Sequence, residues 1–174
     1  MAKSVKSEGI VLKKKGLLNK DYLVTIFTKE QGKIKVFAKG IKKITSRRLS
    51  HIETGNLIQT ILSTKNDRFY LQETKLISGF AKIKDSQEKV NFLYQFFFVL
   101  ERLLPENQKE FSIYQLTKKF LIKLSADGFS EKDLTQFINE LIRQFGYSKK
   151  NLSSNGLRQT IEEIISEKLP SFII

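Results

Sequence analysis

The chain has 174 residues, 40% of them hydrophobic, and 31 Lys and Arg against 18 Asp and Glu, for a net charge of +13. This length and apolar fraction allow one ordinary domain or two small ones with a real core. Cysteine is absent, which excludes disulfides and thiolate metal sites and fits a reducing compartment. No apolar run is long enough for a signal peptide or a membrane span, so we expect a soluble cytoplasmic protein without membrane contact.

The first half of the chain has the texture of short strands. β-Branched and aromatic residues alternate with polar ones between regularly spaced Gly and turn residues. This pattern predicts strands over 9–14, 22–28, 33–39, 57–63 and 69–77. Five strands with the longest connection between the third and the fourth favour a five-stranded OB-fold barrel, although strand count leaves an SH3-like barrel open.

The second half changes from a period of two residues to a period of 3.6. Apolar stripes predict helices over 89–104, 111–127, 130–146 and 157–169, with Pro105, Gly128, Gly146 and Pro170 near their ends. The predicted fold class is therefore α+β. We expect an OB-fold nucleic-acid-binding domain over 1–80 and a helical domain over 81–174.

Positive charge is concentrated in the predicted barrel. Residues 1–80 contain 17 Lys and Arg against 6 Asp and Glu, or +11, and the remainder contains 14 against 12, or +2. Solubility alone would not divide charge in this way, so the pattern favours binding of a polyanion. On the third strand, Ile34, Val36 and Ala38 should face the core, with lysines and Phe37 on the other face.

The candidate DNA-binding residues are the cations of the barrel and the one aromatic residue among them. They are Lys13, Lys15, Lys33, Lys35, Phe37, Lys39, Lys42, Lys43, Arg47, Arg48, Lys65 and Arg68. Lysine and arginine would neutralise phosphates, and a ring would stack on a base. Tyr22 and Phe69 or Tyr70 could add stacking, or could pack inside the barrel.

Catalytic chemistry has little support in the sequence. His51 lies in a loop beside Ser50 and Glu53, which are too close along the chain to form a nucleophilic triad. Acidic residues of the barrel are dispersed, and no glycine-rich phosphate loop occurs. We therefore expect a protein that is not an enzyme, with no catalytic residues, no metal site and no cofactor.

The segment EGIVLKKKGLLNKDYLVTIFTKEQGKIKVFAKGIKK resembles the start of the bacterial DNA repair protein RecO family. The family typically has an EAIVL opening, a D-x-L-V-T-L-F-T strand, G-K-I or G-K-L leading into A-K-G, and a basic S-R loop. The corresponding residues are Glu8, 9–12, Asp21, 23–28, 32–34, 38–40 and 46–47, and LQETKLISGF is similar to the strand that ends the family's barrel. The similarity covers about the first 80 residues well and the helices loosely.

This resemblance implies an OB-fold amino domain, a helical carboxyl domain and a recombination mediator. Such a mediator binds single-stranded DNA, with double-stranded DNA as a further candidate, and anneals complementary strands. It also works with RecR and single-strand-binding protein to help load RecA. The chain looks like a short form, because the family's four-cysteine zinc site is absent and its insertion is reduced to SKKNLSSN. LSHIETGN also replaces the usual L-Q-P-F.

Two other functions remain open from the residues themselves. An RNA-binding OB-fold protein would use the same cations and rings. A protein-interaction adaptor could use a basic barrel to dock acidic peptide tails.

Overall fold

The computed structural model describes residues 3–18, 21–40 and 48–173. These residues contain five strands: β1 Lys3–Gly16, β2 Tyr22–Thr28, β3 Gly32–Ala38, β4 Leu57–Lys65 and β5 Arg68–Ser78. They also contain six helices: α1 Arg48–His51, α2 Ala81–Lys84, α3 Gln87–Leu103, α4 Phe111–Ser125, α5 Glu131–Gln144 and α6 Ser154–Ile165.

The strands form a closed barrel in the order β1-β2-β3-β5-β4, with β4 returning to pair with β1. The pairings along the chain are antiparallel, except that Val36 and Phe37 of β3 pair in parallel with Phe69 and Tyr70 of β5. This is the OB arrangement. The fold prediction is confirmed, and the SH3-like alternative is not the observed topology.

Strand β1 is longer than predicted because it serves two neighbours. Its first part pairs with β4 from Lys3 to Ile10, and its second part pairs with β2 from Gly9 to Gly16. At the overlap, a Cβ atom on Gly9 would lie 2.5 Å from Cγ2 of Ile26. Gly9 thus allows the close approach of strands that closes the barrel.

The alternation on β3 separates core from surface as predicted. Ile34, Val36 and Ala38 are 0–1% exposed and belong to the barrel core, whereas Phe37 on the opposite face is half-buried. Tyr22 and Phe69 pack against that core. Of the two open interpretations for these aromatic residues, the structure therefore supports packing inside the barrel.

The chain divides into two compact units. The barrel unit holds the residues up to Gly79 together with Pro105–Tyr114, and the helical unit holds Phe80–Leu104 and the residues from Gln115 onward. Residues 105–114, expected in the helical domain, belong in the structure to the barrel unit. Whether residues 1–80 and 81–174 are independent domains stays a prediction.

Phenylalanine rings make up much of the core of the helical unit. Phe96 of α3 and Phe120 of α4 are fully buried, with ring centroids 4.0 Å apart, and Phe137 of α5 meets Phe120 edge-on at 5.4 Å. The helices agree with the predicted ones within a few residues at most ends. Helix α6 ends before Leu169, because Ser166 adopts a left-handed conformation with φ of 54°, and Leu169 is buried outside the helix.

Candidate nucleic-acid interface

The candidate site starts from a row of side chains across the outer face of the barrel. Lys15 pairs with Leu23, Leu23 pairs with Phe37, and Phe37 pairs with Tyr70, which in turn pairs with Ser63. Residues directly opposite each other on neighbouring strands project from the same face of a sheet. The register therefore places a lysine of β1 on the same face as the aromatic residues of β3 and β5.

The rings of Phe37 and Tyr70 form a stacked pair beside cations. Their centroids are 5.7 Å apart with an angle of 30° between the planes. Nζ of Lys39 lies 5.1 Å from the centre of the Tyr70 ring, and Cζ of Arg68 lies 5.9 Å from the centre of the Phe37 ring. Cation–π attraction therefore keeps two positive charges beside a pair of aromatic rings, the combination of groups with which single strands are bound in other proteins.

A groove of about 610 Å³ opens beside this aromatic pair. Lys39, Arg48 and Lys65 contribute positive charge to its lining, together with Tyr70 and Gln72. An Nη1 atom of Arg48 donates to the backbone carbonyl of Gln72 at 3.3 Å, which positions the guanidinium at the groove. The structure thus brings together four predicted residues from separate parts of the chain: Phe37 on β3, Lys39 in the turn that follows it, Arg48 on α1 and Lys65 on β4.

The hairpin between β4 and β5 carries two of the predicted cations. Lys65 and Arg68 are exposed and pair at its base, and Asn66 and Asp67 between them have φ of 49° and 56°. Two central residues with positive φ make the tight type I′ connection that matches the twist of the strands. In OB-folds the loop joining the fourth and fifth strands is one of the loops used in binding.

The two lysines on the first half of β3 differ from each other, since Lys33 is buried and Lys35 is exposed but paired. Lys33 is only 8% exposed, and Nζ of Lys35 lies 2.6 Å from Oε1 of Glu106. Lys33 is therefore too buried to contact a DNA backbone in this arrangement, and Lys35 already has an anionic partner. The burial of Lys33 and the pairing of Lys35 both result from the segment around Glu106, which lies beside β3. The alternation within β3 could not predict this neighbour.

The remaining predicted residues fall into two groups. Lys13 and Lys15 are exposed on β1, and Lys13 shares a cross-strand row with Thr25 and Lys35. Lys42, Lys43 and Arg47 lie outside the described residues. For Tyr70 the sequence left stacking and internal packing open, and the pairing with Phe37 places its ring on the outer face.

No arrangement typical of hydrolysis is found around the histidine. Nδ1 of His51 is 2.9 Å from Oγ1 of Thr74, and the Glu53 carboxylate pairs with Lys14. Over residues 3–18, 21–40 and 48–173, no group of three or more His, Asp and Glu side chains is placed to hold a metal ion. Among the helices of the described part of the chain, none is both long and apolar enough to span a membrane.

Comparison with known proteins points to a single family, by a family model and by individual relatives alike. Residues 1–80 match the family described as Recombination protein O N terminal. Relatives named DNA repair protein RecO include one from Caldanaerobacter subterraneus subsp. tengcongensis, 27% identical over 67% of this chain and 47% of the relative. The relative from Acetivibrio thermocellus is 25% identical over 83% of this chain and 58% of its own length.

A third relative matches a larger share of this chain. DNA repair protein RecO from Listeria welshimeri is 27% identical over 91% of this chain and 58% of its own length. The chain thus spans about half the length of the curated relatives it matches.

Proposed function

We propose that this protein, whose residues 1–80 match the family described as Recombination protein O N terminal, is a RecO-family protein that acts in DNA repair and recombination by binding single-stranded DNA and annealing complementary strands. The observation that carries the proposal is the stacked Phe37–Tyr70 pair with Lys39 and Arg68 over its rings. Aromatic platforms lined by cations are how OB-folds hold single strands without reading sequence.

The proposed mechanism is electrostatic and needs no catalytic residue. Lysine and arginine neutralise the phosphates of a bound strand and release its counterions, which lowers the repulsion felt by a second strand. Stacking on Phe37 or Tyr70 uses the face of a base and leaves its pairing edge free. A complementary strand then pairs with the exposed edges, and the duplex leaves an aromatic platform on which paired bases cannot stack.

The wider role follows from the family. We propose that the protein works in the cytoplasm with RecR and single-strand-binding protein and assists the loading of RecA, as the family resemblance implies. We also propose that it uses no cofactor and is not an enzyme. Double-stranded DNA is a further proposed ligand, held through phosphate contacts alone.

Salt dependence of binding to a labelled single-stranded oligonucleotide tests the electrostatic account. If about five phosphates are contacted, the log–log slope of affinity against salt should be roughly −3.5, at about 0.7 per contact. A slope near zero would contradict the mechanism. Annealing of two complementary oligonucleotides, with and without single-strand-binding protein, then measures the activity itself.

A matched pair of variants tests the location of the site. Replacing Lys39, Arg48, Lys65 and Arg68 together with Ala should abolish binding and annealing. The control replaces Lys119, Lys132, Lys149 and Lys150, exposed lysines of the helical unit, and removes the same charge. Unfolding curves verify that both variants fold; equal loss of binding in both would argue for a diffuse charge effect without a defined site.

Two outcomes would redirect the proposal. Tighter binding of an RNA oligonucleotide of equal length and sequence would favour an RNA-binding protein. Retention of acidic protein partners after nuclease treatment, with no affinity for oligonucleotides, would favour an adaptor of acidic tails.

A further inference from the structure

A segment distant in sequence lies against the outer edge of β3. We call residues 105–110 the strap. The backbone N–H of Asn107 donates to the carbonyl of Lys33 at 2.9 Å, and Glu106 forms a parallel bridge with Lys33. Any Cβ atom on Gly32, whose φ is +75°, would collide with the carbonyl of Gln108. The strap is therefore fitted closely to the first half of β3, beyond the part of that strand that pairs with β5.

The strap is anchored by the first turn of α4, which belongs to the same unit. The hydroxyl of Tyr114 donates to Oε1 of Glu8 at 2.8 Å, and its ring meets Phe27 edge-on at 5.4 Å. Nζ of Lys29 lies 5.9 Å from the centre of the Phe111 ring. These contacts with β1 and β2 hold the strap from its carboxyl end, so its position against β3 is supported on more than one side.

Glu106 is the one carboxylate of the strap that faces a candidate DNA contact among the described residues. Its Oε1 atom is 2.6 Å from Nζ of Lys35, and the side chains are 49% and 54% exposed. The hydrogen bond from Lys35 is the main cause that lowers the pKa of Glu106, and the charges of Lys35 and Lys33 act in the same direction. The carboxylate is thus ionised and occupies the ammonium group that a phosphate would otherwise take.

The position of this ion pair matters for a bound strand. Lys35 precedes Phe37 by two residues on the same face of β3, or roughly 6.6 Å along the strand at about 3.3 Å per residue. Successive phosphates of a strand stacked on Phe37 would reach Lys35 on one side and the hairpin cations on the other. Glu106 therefore stands at one end of the cationic path.

We propose that Glu106 limits the length of the bound strand, because as a competing anion at Lys35 it ends the phosphate path there. This inference rests on the proposed function. A strand must displace Glu106 to use Lys35, so the native protein confines its contacts to Phe37, Tyr70 and the hairpin end of the groove. Confining the path keeps the bound segment short, which favours release of the strand once it has annealed.

The test uses Glu106→Gln with Glu73→Gln as its matched control. Glu73 is exposed on β5 of the same unit, and its replacement changes net charge equally. Binding of a single-stranded oligonucleotide is measured across a salt series. We expect Glu106→Gln to bind about threefold to tenfold more tightly than Glu73→Gln at low salt, and its slope to be steeper by about 0.7, the value of one added phosphate contact.

A double-mutant cycle with Lys35→Ala shows whether the effect acts through the ion pair. In the Lys35→Ala background, Glu106→Gln should bind no better than Glu73→Gln, since the ammonium that Glu106 blocks is gone. Melting temperatures of the variants are compared, and a shared change in both backgrounds would reveal a general effect on the strap.

The outcomes separate the two proposals. If the wild type binds with the expected salt slope but Glu106→Gln matches Glu73→Gln in affinity and slope, the competing-anion inference is overturned and the proposed function stands. An equal gain from Glu106→Gln with and without Lys35 also overturns it. Absence of binding by the wild type at low salt overturns the proposed function, and this inference with it.

Discussion

Aromatic side chains are used in opposite ways by the two units of this protein. In the barrel unit, Phe37 and Tyr70 remain partly exposed on the outer face, with Lys39 and Arg68 over their rings. In the helical unit, Phe96 and Phe120 are fully buried with their rings stacked. A ring removed from water stabilises the fold, whereas a ring left at a cationic surface retains its face for a ligand.

Charge follows the same division. The excess of +11 over residues 1–80 compares with +2 over the remainder. Cations of the helical unit include Arg102, which pairs with Glu167 at 3.3 Å, and Arg158, which donates to the carbonyls of Pro170 and Ile173. Such contacts hold helix ends and connections in place, whereas the proposed binding residues all lie in the barrel unit.

The largest expected effect breaks the helical core. Phe120→Ala should lower the free energy of unfolding by about 3–5 kcal/mol, because it removes a fully buried ring that contacts Phe96, Phe129 and Phe137. Urea denaturation followed by circular dichroism measures the change. Phe37→Ala is the matched substitution in the barrel and should cost less than about 1 kcal/mol of stability. Equal losses would contradict the assigned difference between the two rings.

The next effect concerns binding. Tyr70→Ala and Phe37→Ala should each weaken binding of a single-stranded oligonucleotide by about 1–3 kcal/mol, the usual contribution of a stacked base. Fluorescence anisotropy of a labelled oligonucleotide is a suitable measurement. Phe98 of the helical unit provides the control, since Arg102 lies 3.4 Å from its ring centre in another cation–aromatic pair. An equally large loss of affinity in Phe98→Ala would contradict the proposal that the barrel's aromatic pair binds the oligonucleotide.

A smaller effect tests the membership of residues 105–114 in the barrel unit. Tyr114→Phe removes the hydrogen bond to the Glu8 carboxylate and should cost about 1–2 kcal/mol. Burial is the main cause that raises the pKa of Tyr114, so its hydroxyl remains a donor at neutral pH. Hydrogen exchange should show the lost protection in β1 and β2. Lost protection confined to α5 and α6 would contradict this placement.

The smallest effect lies at the start of α5. The backbone N–H and the hydroxyl of Ser130 both donate to Asp133 at 2.9 and 2.8 Å, and these bonds are the main cause that lowers the pKa of Asp133. A lowered pKa in the folded state means that the stabilisation is present above the unfolded pKa and is lost as pH falls through the folded pKa. Asp133→Asn should cost about 0.5–1 kcal/mol at neutral pH.

The pH series carries its own control. The difference between wild type and Asp133→Asn should shrink in acid as the wild-type carboxylate is protonated. Asp127→Asn, at an exposed carboxylate 3.7 Å from Lys82, should change stability little at any pH. A difference between Asp133→Asn and wild type that stays constant down to low pH would exclude the carboxylate as its source.

The sequence could predict the features that depend on neighbours along the chain. Alternation on β3 identified Ile34, Val36 and Ala38 as core and turned Phe37 outward, because a strand in a barrel must bury one face and expose the other. The strand count and the period of the helices followed from the same kind of local repeat. The cations of the hairpin could also be found, since turn residues between two strands lie at the surface.

Contacts between segments distant in sequence decided which aromatic residue stacks on Phe37 and which lysines are buried or paired. Tyr70 rather than Phe69 stacks on Phe37 because the parallel register of β3 and β5 sets them opposite each other. Lys33 obeys the alternation and is nevertheless buried, since the strap from residues 105–110 pairs beside it. Glu106 and Lys35 lie far apart in sequence. A periodic pattern within β3 cannot predict which distant segment will pair with the edge of that strand. The chain's own pattern thus predicts an OB-type barrel with a cationic face, and only the contacts made in the folded protein decide which of those cations are buried or paired.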